Sequence, residues 1–232
     1  MLVGRRIKRE LCKYYLKVPS GTKRCGTHEK ENVWTKHCIE VSPNCNSSRP
    51  NAGSVARERP TVQLHAPERD IRFLTTHIPP GASDGWIKIE TKQGIVENLL
   101  SNLGAEQNLC GDFNTPQSVS AELGVVTFNQ RSTKGGKAVV RTKLRGGSAE
   151  DWDAAERSLS EDLKRHGIRD AFSDRNPNRF DAFSWSFKRN GKILRNRFDH
   201  VFVSDGFEVE SCEFRNDQNH LSDHSPILAV FT

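Results

Sequence analysis

Long apolar runs are missing from this chain: nowhere in its 232 residues do about 18 apolar residues stand together, the length that a membrane-spanning helix needs. Met1 to Val18 is charged and has no continuous apolar core, so it does not read as a secretory signal peptide. The expectation is a soluble, cytoplasmic chain with no membrane span. Closely paired cysteines are missing too. Cys12, Cys25, Cys38 and Cys45 stand 13, 13 and 7 positions apart, whereas structural zinc sites draw their ligands from tight pairs. Free thiols are expected, even with His28 and His37 nearby.

Acid is scarce at the start of the chain. The first 60 residues hold 13 Lys+Arg against 5 Asp+Glu, and the remainder holds 22 against 24. All of the positive excess therefore lies in the N-terminal segment, and the basic balance of the whole chain is no argument for a nucleic-acid-binding face on the rest. Residues 1–54 have few apolar positions, no periodicity, and a Ser/Asn/Pro/Gly cluster from Asn46 to Ser54. Such a segment buries little and is expected to be poorly ordered. The predicted organisation is an atypical, basic, cysteine-containing segment over 1–54 and one domain of ordinary size over 55–232.

That second part has the patterning of an α/β body. Thr61 to His65 and Ile71 to His77 are extended runs around Pro67-Glu68-Arg69-Asp70, a hairpin pattern. Ile87, Ile95, Val96, Leu99, Leu100 and Leu103 lie near helical spacing and lead into a short strand from Gln107 to Cys110. A second helix is predicted from Ser148 to Arg165, with Ser148 as N-cap and Trp152, Ala155, Leu159 and Leu163 as its apolar stripe. Phe198 to Val203 and Pro226 to Phe231 read as apolar strands. Ahead of the second helix, Asn129 to Gly147 is basic and glycine-rich, with Arg131, Lys134, Lys137, Arg141, Lys143 and Arg145. It reads as a solvated loop or as a loop that steers phosphate toward a site. Lys188, Arg189, Arg195 and Arg197 invite the same comparison.

Three short signatures sit where these strands end: Gly111-Asp112-Phe113-Asn114, Arg197-Phe198-Asp199-His200 and Ser222-Asp223-His224. Strand ends are rigid platforms with exposed tips, so carboxylates and imidazoles placed there can be aimed at one point. Hydrolysis of a phosphate ester needs such a set. A water must be deprotonated, the charge growing on the phosphate oxygens neutralised and the leaving oxygen stabilised, commonly with a divalent metal. Asp112, Asn114, Asp223 and His224 are the right types, and the carboxylate and amide oxygens among them are hard ligands that suit magnesium or manganese.

Extended by Thr115-Pro116, Val201 to Ser204 and Leu221 with Ser225-Pro226, these signatures resemble the three C-terminal signatures of the endonuclease/exonuclease/phosphatase superfamily. A fourth family feature, a strand ending in His-x-Pro, is matched by Thr75-Thr76-His77-Ile78-Pro79. The resemblance covers roughly residues 55 to 232. It implies two packed, mixed β-sheets flanked by helices, a four-layer αββα sandwich with the site where strand tips of both sheets meet. It further implies that Asp112 deprotonates the attacking water, Asn114 orients the water or the phosphate, and His77 donates to a phosphate oxygen. Asp223, with Asp112, would hold the metal, Mg2+ or Mn2+. His224 would bind or protonate phosphate oxygens with Asp199 fixing its tautomer, and Arg197 would contact substrate. Ser184-Trp185 resembles the family's Ser/Tyr-Trp step, which packs beneath the site.

The resemblance stops at the N-terminus. Family members open with a strand carrying an Asn, then a helix and a strand ending in Gln-Glu, whose glutamate is the principal metal ligand. Residues 1–54 contain no Gln-Glu, and their only carboxylates are Glu10, Glu29, Glu31 and Glu40. The sandwich is therefore expected to be incomplete at its N-terminus. Two readings of function stay open: a metal-dependent phosphodiesterase or phosphatase, most simply a nuclease acting on a nucleic acid, and a non-catalytic relic that binds phosphate. Among phosphodiester substrates, the signatures alone do not choose.

Overall fold

A computed structural model describes residues 15–17, 61–65, 70–133, 135, 137–140, 146–216 and 222–232. Of the segment 1–54 only Tyr15–Lys17 is among them, as strand β1, so its predicted lack of order, its four cysteines and the boundary at residue 54 lie outside the described residues. Next come β2 (Thr61–His65) and β3 (Asp70–His77), paired antiparallel as the hairpin pattern predicts. A short helix α1 (Gly81–Asp84) and the longer α2 (Ile87–Leu100) lead to β4 (Glu106–Asp112). Leu103 falls beyond the end of α2 and is exposed.

Two small hairpins follow, β5 (Ser118–Ser120) with β6 (Gly124–Val126) and β7 (Gln130–Ser132) with β8 (Ala138–Val140). The basic stretch expected as a loop thus contains strands, because Gln130 to Ser132 pairs with Ala138 to Val140. Its Lys134, Arg141, Lys143 and Arg145 lie outside the described residues. Helix α3 (Ala149–Arg157) continues through a π-helical turn at Ser158–Asp162 into α4 (Leu163–Arg165). Ser148 caps it as predicted: its Oγ accepts from the Asp151 N–H while Asp151 accepts from the Ser148 N–H, a reciprocal pair that satisfies two orphan donors. Strand β9 (Ile168–Asp170), helix α5 (Ala171–Arg175) and strands β10 (Trp185–Arg189), β11 (Lys192–Asn196), β12 (Asp199–Ser204), β13 (Val209–Phe214) and β14 (Ile227–Phe231) complete the chain.

The main sheet has five strands in the order β2-β3-β4-β12-β9, with β3 and β4 parallel and the other pairs antiparallel. A second sheet has the order β1-β14-β13, so β14 is flanked on both sides. The two central strands of the main sheet are buried on both faces, and their alternation sorts side chains between two cores. Leu109 and Phe202 face the helices, packing with Ile95 and Leu99 of α2 and with Leu159 and Leu163. Cys110, Val201 and Val203 face the second sheet and meet Val209, Cys212, Ile227, Ala229 and Phe231. The result is an α/β sandwich of helices, main sheet and second sheet, and no described helix is long and apolar enough to cross a membrane. All four residues of the predicted stripe, Trp152, Ala155, Leu159 and Leu163, are buried.

Leu109→Ala should cost about 2–5 kcal/mol, because it empties a site between the sheet and α2. Ser148→Ala should cost about 1 kcal/mol by removing one cap. Chemical denaturation of both variants measures that ratio.

Candidate active site

Gly111 sets the local geometry of the site. Its φ is +152°, and a Cβ there would fall 1.9 Å from the Thr76 carbonyl oxygen of β3. Only glycine permits this approach, which brings β3 and β4 together at their C-terminal ends. Past it, the strand residue Asp112 and the turn residue Asn114 form a tight loop, with Asn114 at a φ of +48°, a conformation that asparagine tolerates better than most residues.

Strand register does the rest. Asp112 is the Cα partner of His77 across the parallel pair and of Asp199 across the antiparallel pair. Registered neighbours share a sheet face, so His77, Asp112 and Asp199 form a row at one end of the face that meets the second sheet. His224 arrives from that second sheet, in the segment leading into β14, and its Nδ1 lies 2.7 Å from Asp199 Oδ2. Four of the predicted residues, separated in sequence by up to about 150 positions, are thereby brought together.

Ser184 and Trp185 secure the junction. The Ser184 hydroxyl accepts from the N–H groups of Phe198 and Asp199, and its carbonyl accepts from Ser225 N–H at 2.6 Å. Trp185 bridges to His224 and stacks on Phe198. The step does pack beneath the site, and the serine fixes both the Asp199 backbone and the loop that carries His224.

Within the row the roles differ by environment. Asp112 is nearly buried, and Asn114 serves it twice: backbone N–H to Oδ1 at 2.8 Å and Nδ2 to Oδ2 at 3.1 Å. The Asn114 amide also donates to the Ile78 carbonyl, so its Oδ1 is the atom left to orient a water. His77 is well exposed, with Nε2 3.5 Å from Asp112 Oδ2. Burial, and then the neighbouring Asp199 charge, push the Asp112 carboxyl up to about 6, against the Asn114 hydrogen bond and the two histidines. Burial opposes the charge on His224, yet its hydrogen bond to Asp199 and the charges of Asp199, Asp112 and Asp223 outweigh that and raise it to about 9. A carboxylate and an imidazolium side by side near neutral pH are a base and a phosphate-binding cation.

Asp223 is exposed at the rim, where its charge reaches His224. Arg197 is engaged elsewhere: Nη2 donates to Ser173 Oγ at 2.9 Å and lies 3.4 Å from Asp170 Oδ2, while the guanidinium sits over Phe172. Asp170 also caps α5 and bonds His200 Nδ1 at 2.7 Å, so Arg197 belongs to a buried network behind the row. Among the described residues no group of three or more His, Cys, Asp or Glu is placed to hold a metal ion. Asp112 and Asp223 are the carboxylates that would hold magnesium or manganese, ions that keep several waters and take one or two protein carboxylates together with substrate phosphate.

The Asp199 pairing has a consequence for pH. The folded value for His224, about 9, lies above its ordinary 6.5, so its contribution to stability is complete below pH 6.5 and is lost as pH rises through 9. Asp199→Asn should flatten that decline in melting temperature and return the His224 titration, followed by NMR, toward the ordinary value.

No family model matches the sequence, and no curated protein matches it. Solved structures do. D. rerio TDP2, complexed with a single strand DNA product, shares 12% identity over 74% of this chain and 60% of its own, with a TM-score of 0.49. The 3' phosphatase NExo from Neisseria, bound to a product DNA hairpin, shares 17% identity over 76% of this chain and 66% of its own, with a TM-score of 0.50. An endonuclease/exonuclease/phosphatase family protein from Leptotrichia buccalis shares 16% over 74% and 53%, with a TM-score of 0.43. The chain thus spans between 53% and 66% of the length of these three. At such identities the likeness is one of fold alone. The fold of this chain is thus similar to that of the 3' phosphatase NExo.

Proposed function

We propose that this protein hydrolyses phosphate esters, and that its substrate is a nucleic acid phosphodiester. One observation carries the reading: Asp112, both of whose oxygens are held by Asn114, stands beside Asp199, which in turn holds His224 at 2.7 Å. Asp112 takes the proton of the attacking water, which Asn114 Oδ1 orients. His224, held by Asp199, neutralises charge developing on the phosphate oxygens, and exposed His77 donates a further hydrogen bond. Asp199 is a positioning residue here, acting through His224.

The nucleic acid part of the proposal rests on β10 and β11. From Trp185 to Asn196 the chain carries Lys188, Arg189, Lys192 and Arg195 and no acid. Phe187, about half exposed, stacks on Trp185, the residue that bridges to His224. An aromatic surface beside cations, adjoining the row, suits stacked bases on a phosphate backbone. The product DNA hairpin bound to the similar NExo structure is in keeping with this choice.

A second reading rests on the sequence. Residues 1–54 contain no Gln-Glu, the step whose glutamate is the principal metal ligand in the superfamily that the signatures resemble, and in this reading the row binds phosphate without turning it over. Hydrolysis of an activated phosphodiester and of plasmid DNA, with magnesium, with manganese and with chelator, separates the two. Turnover that stops in Asp112→Asn and in His224→Ala supports the first reading and, by its response to chelator, assigns the role of metal. A folded wild-type chain without turnover supports the second.

If the first reading holds, kcat/KM should rise through pH 6 as Asp112 loses its proton and fall through pH 9 as His224 loses its own. Phe187→Ala should weaken binding of a single-stranded oligonucleotide by about 1–3 kcal/mol and leave hydrolysis of the small activated diester unchanged. An equal loss on both substrates would remove the hairpin from substrate binding.

A further inference from the structure

Behind the turn that carries Asp112 and Asn114, three ionisable side chains are sealed from solvent: Lys88 and Lys92 of α2 and Glu156 of α3. Lys88 Nζ lies 2.6 Å, and Lys92 Nζ 3.2 Å, from the same oxygen, Glu156 Oε1. The other oxygen, Oε2, accepts from the Phe128 N–H at 2.7 Å. Lys88 makes one contact that Lys92 does not: its Nζ donates to the Asn114 carbonyl at 2.9 Å, with the Phe128 ring centroid 4.5 Å away. Burial, together with the Lys88 charge, pushes Lys92 well below the ordinary lysine range against the pull of Glu156. Burial would raise Glu156, but the charges of Lys92 and Lys88 hold it at about 2.

Packing alone does not account for such a cluster. Burying two lysines around one carboxylate carries a desolvation cost that apolar side chains of similar volume would avoid. What an apolar side chain lacks is a donor for the Asn114 carbonyl. That residue sits at a positive φ, which costs a non-glycine residue roughly 1–2 kcal/mol. The turn must therefore be held from outside, and Asn114 is the residue whose N–H and amide hold both Asp112 oxygens. We propose that Lys88, anchored by Glu156, is a positioning residue that clamps the Asn114 carbonyl and thereby fixes the turn that aims Asp112. The inference rests on the reading of Asp112 as the base.

The test uses Lys88→Met and Lys92→Met in the full chain. Lys92→Met removes a buried lysine from the same carboxylate without touching Asn114. In Lys88→Met, hydrogen exchange at the Asn114 amide should speed up by about tenfold or more while Val201 and Val203 in β12 keep their protection. Its kcat on the activated phosphodiester should fall by about 10- to 100-fold with KM within about twofold. Lys92→Met should keep both properties near wild type. Unchanged Asn114 exchange in Lys88→Met, or the same losses in both variants, would overturn the clamp. Should Lys88→Met not fold, Lys88→Gln, which keeps an uncharged donor on a shorter stem, is judged by the same two readouts against Lys92→Met. The exchange readout needs no turnover, so an inactive wild-type chain would sink the proposed hydrolysis and leave the clamp to the Asn114 amide alone.

Discussion

The site depends on the pairing of β4 with its two neighbours. Because side chains alternate with a period of two, a slip of one residue between β4 and β12 would turn Asp199 away from Asp112 and bury Phe202 against the wrong layer. Core and row are therefore fixed by the same register. Leu109 and Phe202 belong against the helices, Cys110 and Val203 against the second sheet, and Asp112 and Asp199 then have one place left. The glycine at 111 lets the β3 backbone close to within contact, so that His77 comes into line as well.

Two sheets meeting at one end explain the electrostatics. Main-sheet strands deliver carboxylates to adjacent positions in a nearly buried row, where like charges oppose each other and Asp112 is raised. The second sheet delivers His224, whose bond to Asp199 compensates part of that charge. Neither sheet alone would hold the pair. Ser184 ties the two together, since its hydroxyl bonds the start of β12 and its carbonyl bonds the loop before β14.

The polar interior on the helix side is of a different kind. Arg197, Asp170 and His200 satisfy one another and carbonyl oxygens of the surrounding loops, with His200 Nε2 2.9 Å from the Thr115 carbonyl. Lys88, Lys92 and Glu156 form a second cluster. Both clusters end on the turn from Asn114 to Thr115. A turn with a positive φ on a strand tip is braced by hydrogen bonds from two sides, and these are directional where apolar contacts are not.

Much of this was legible in the sequence. The helix over 149–165 with its cap, the hairpin before His77 and the strand ends follow from patterns of period two or 3.6, whereas the grouping of His77, Asp112, Asp199 and His224 was implied by the resemblance of short signatures to a known superfamily. Even the buried lysines left a trace, since 88, 92, 95 and 99 share a helical face. What the sequence alone could not supply was the partner of Arg197 or of Lys88. Whether Arg197 points to substrate or to Asp170, and whether Lys88 is a solvated cation or a clamp on Asn114, depends on which element packs above it. Sequence periodicity assigns a side chain to a face. Only the tertiary structure brings residues 88 and 156, or 199 and 224, within hydrogen-bonding distance, because electrostatic and hydrogen-bond energies fall off over a few ångströms that chain separation does not encode.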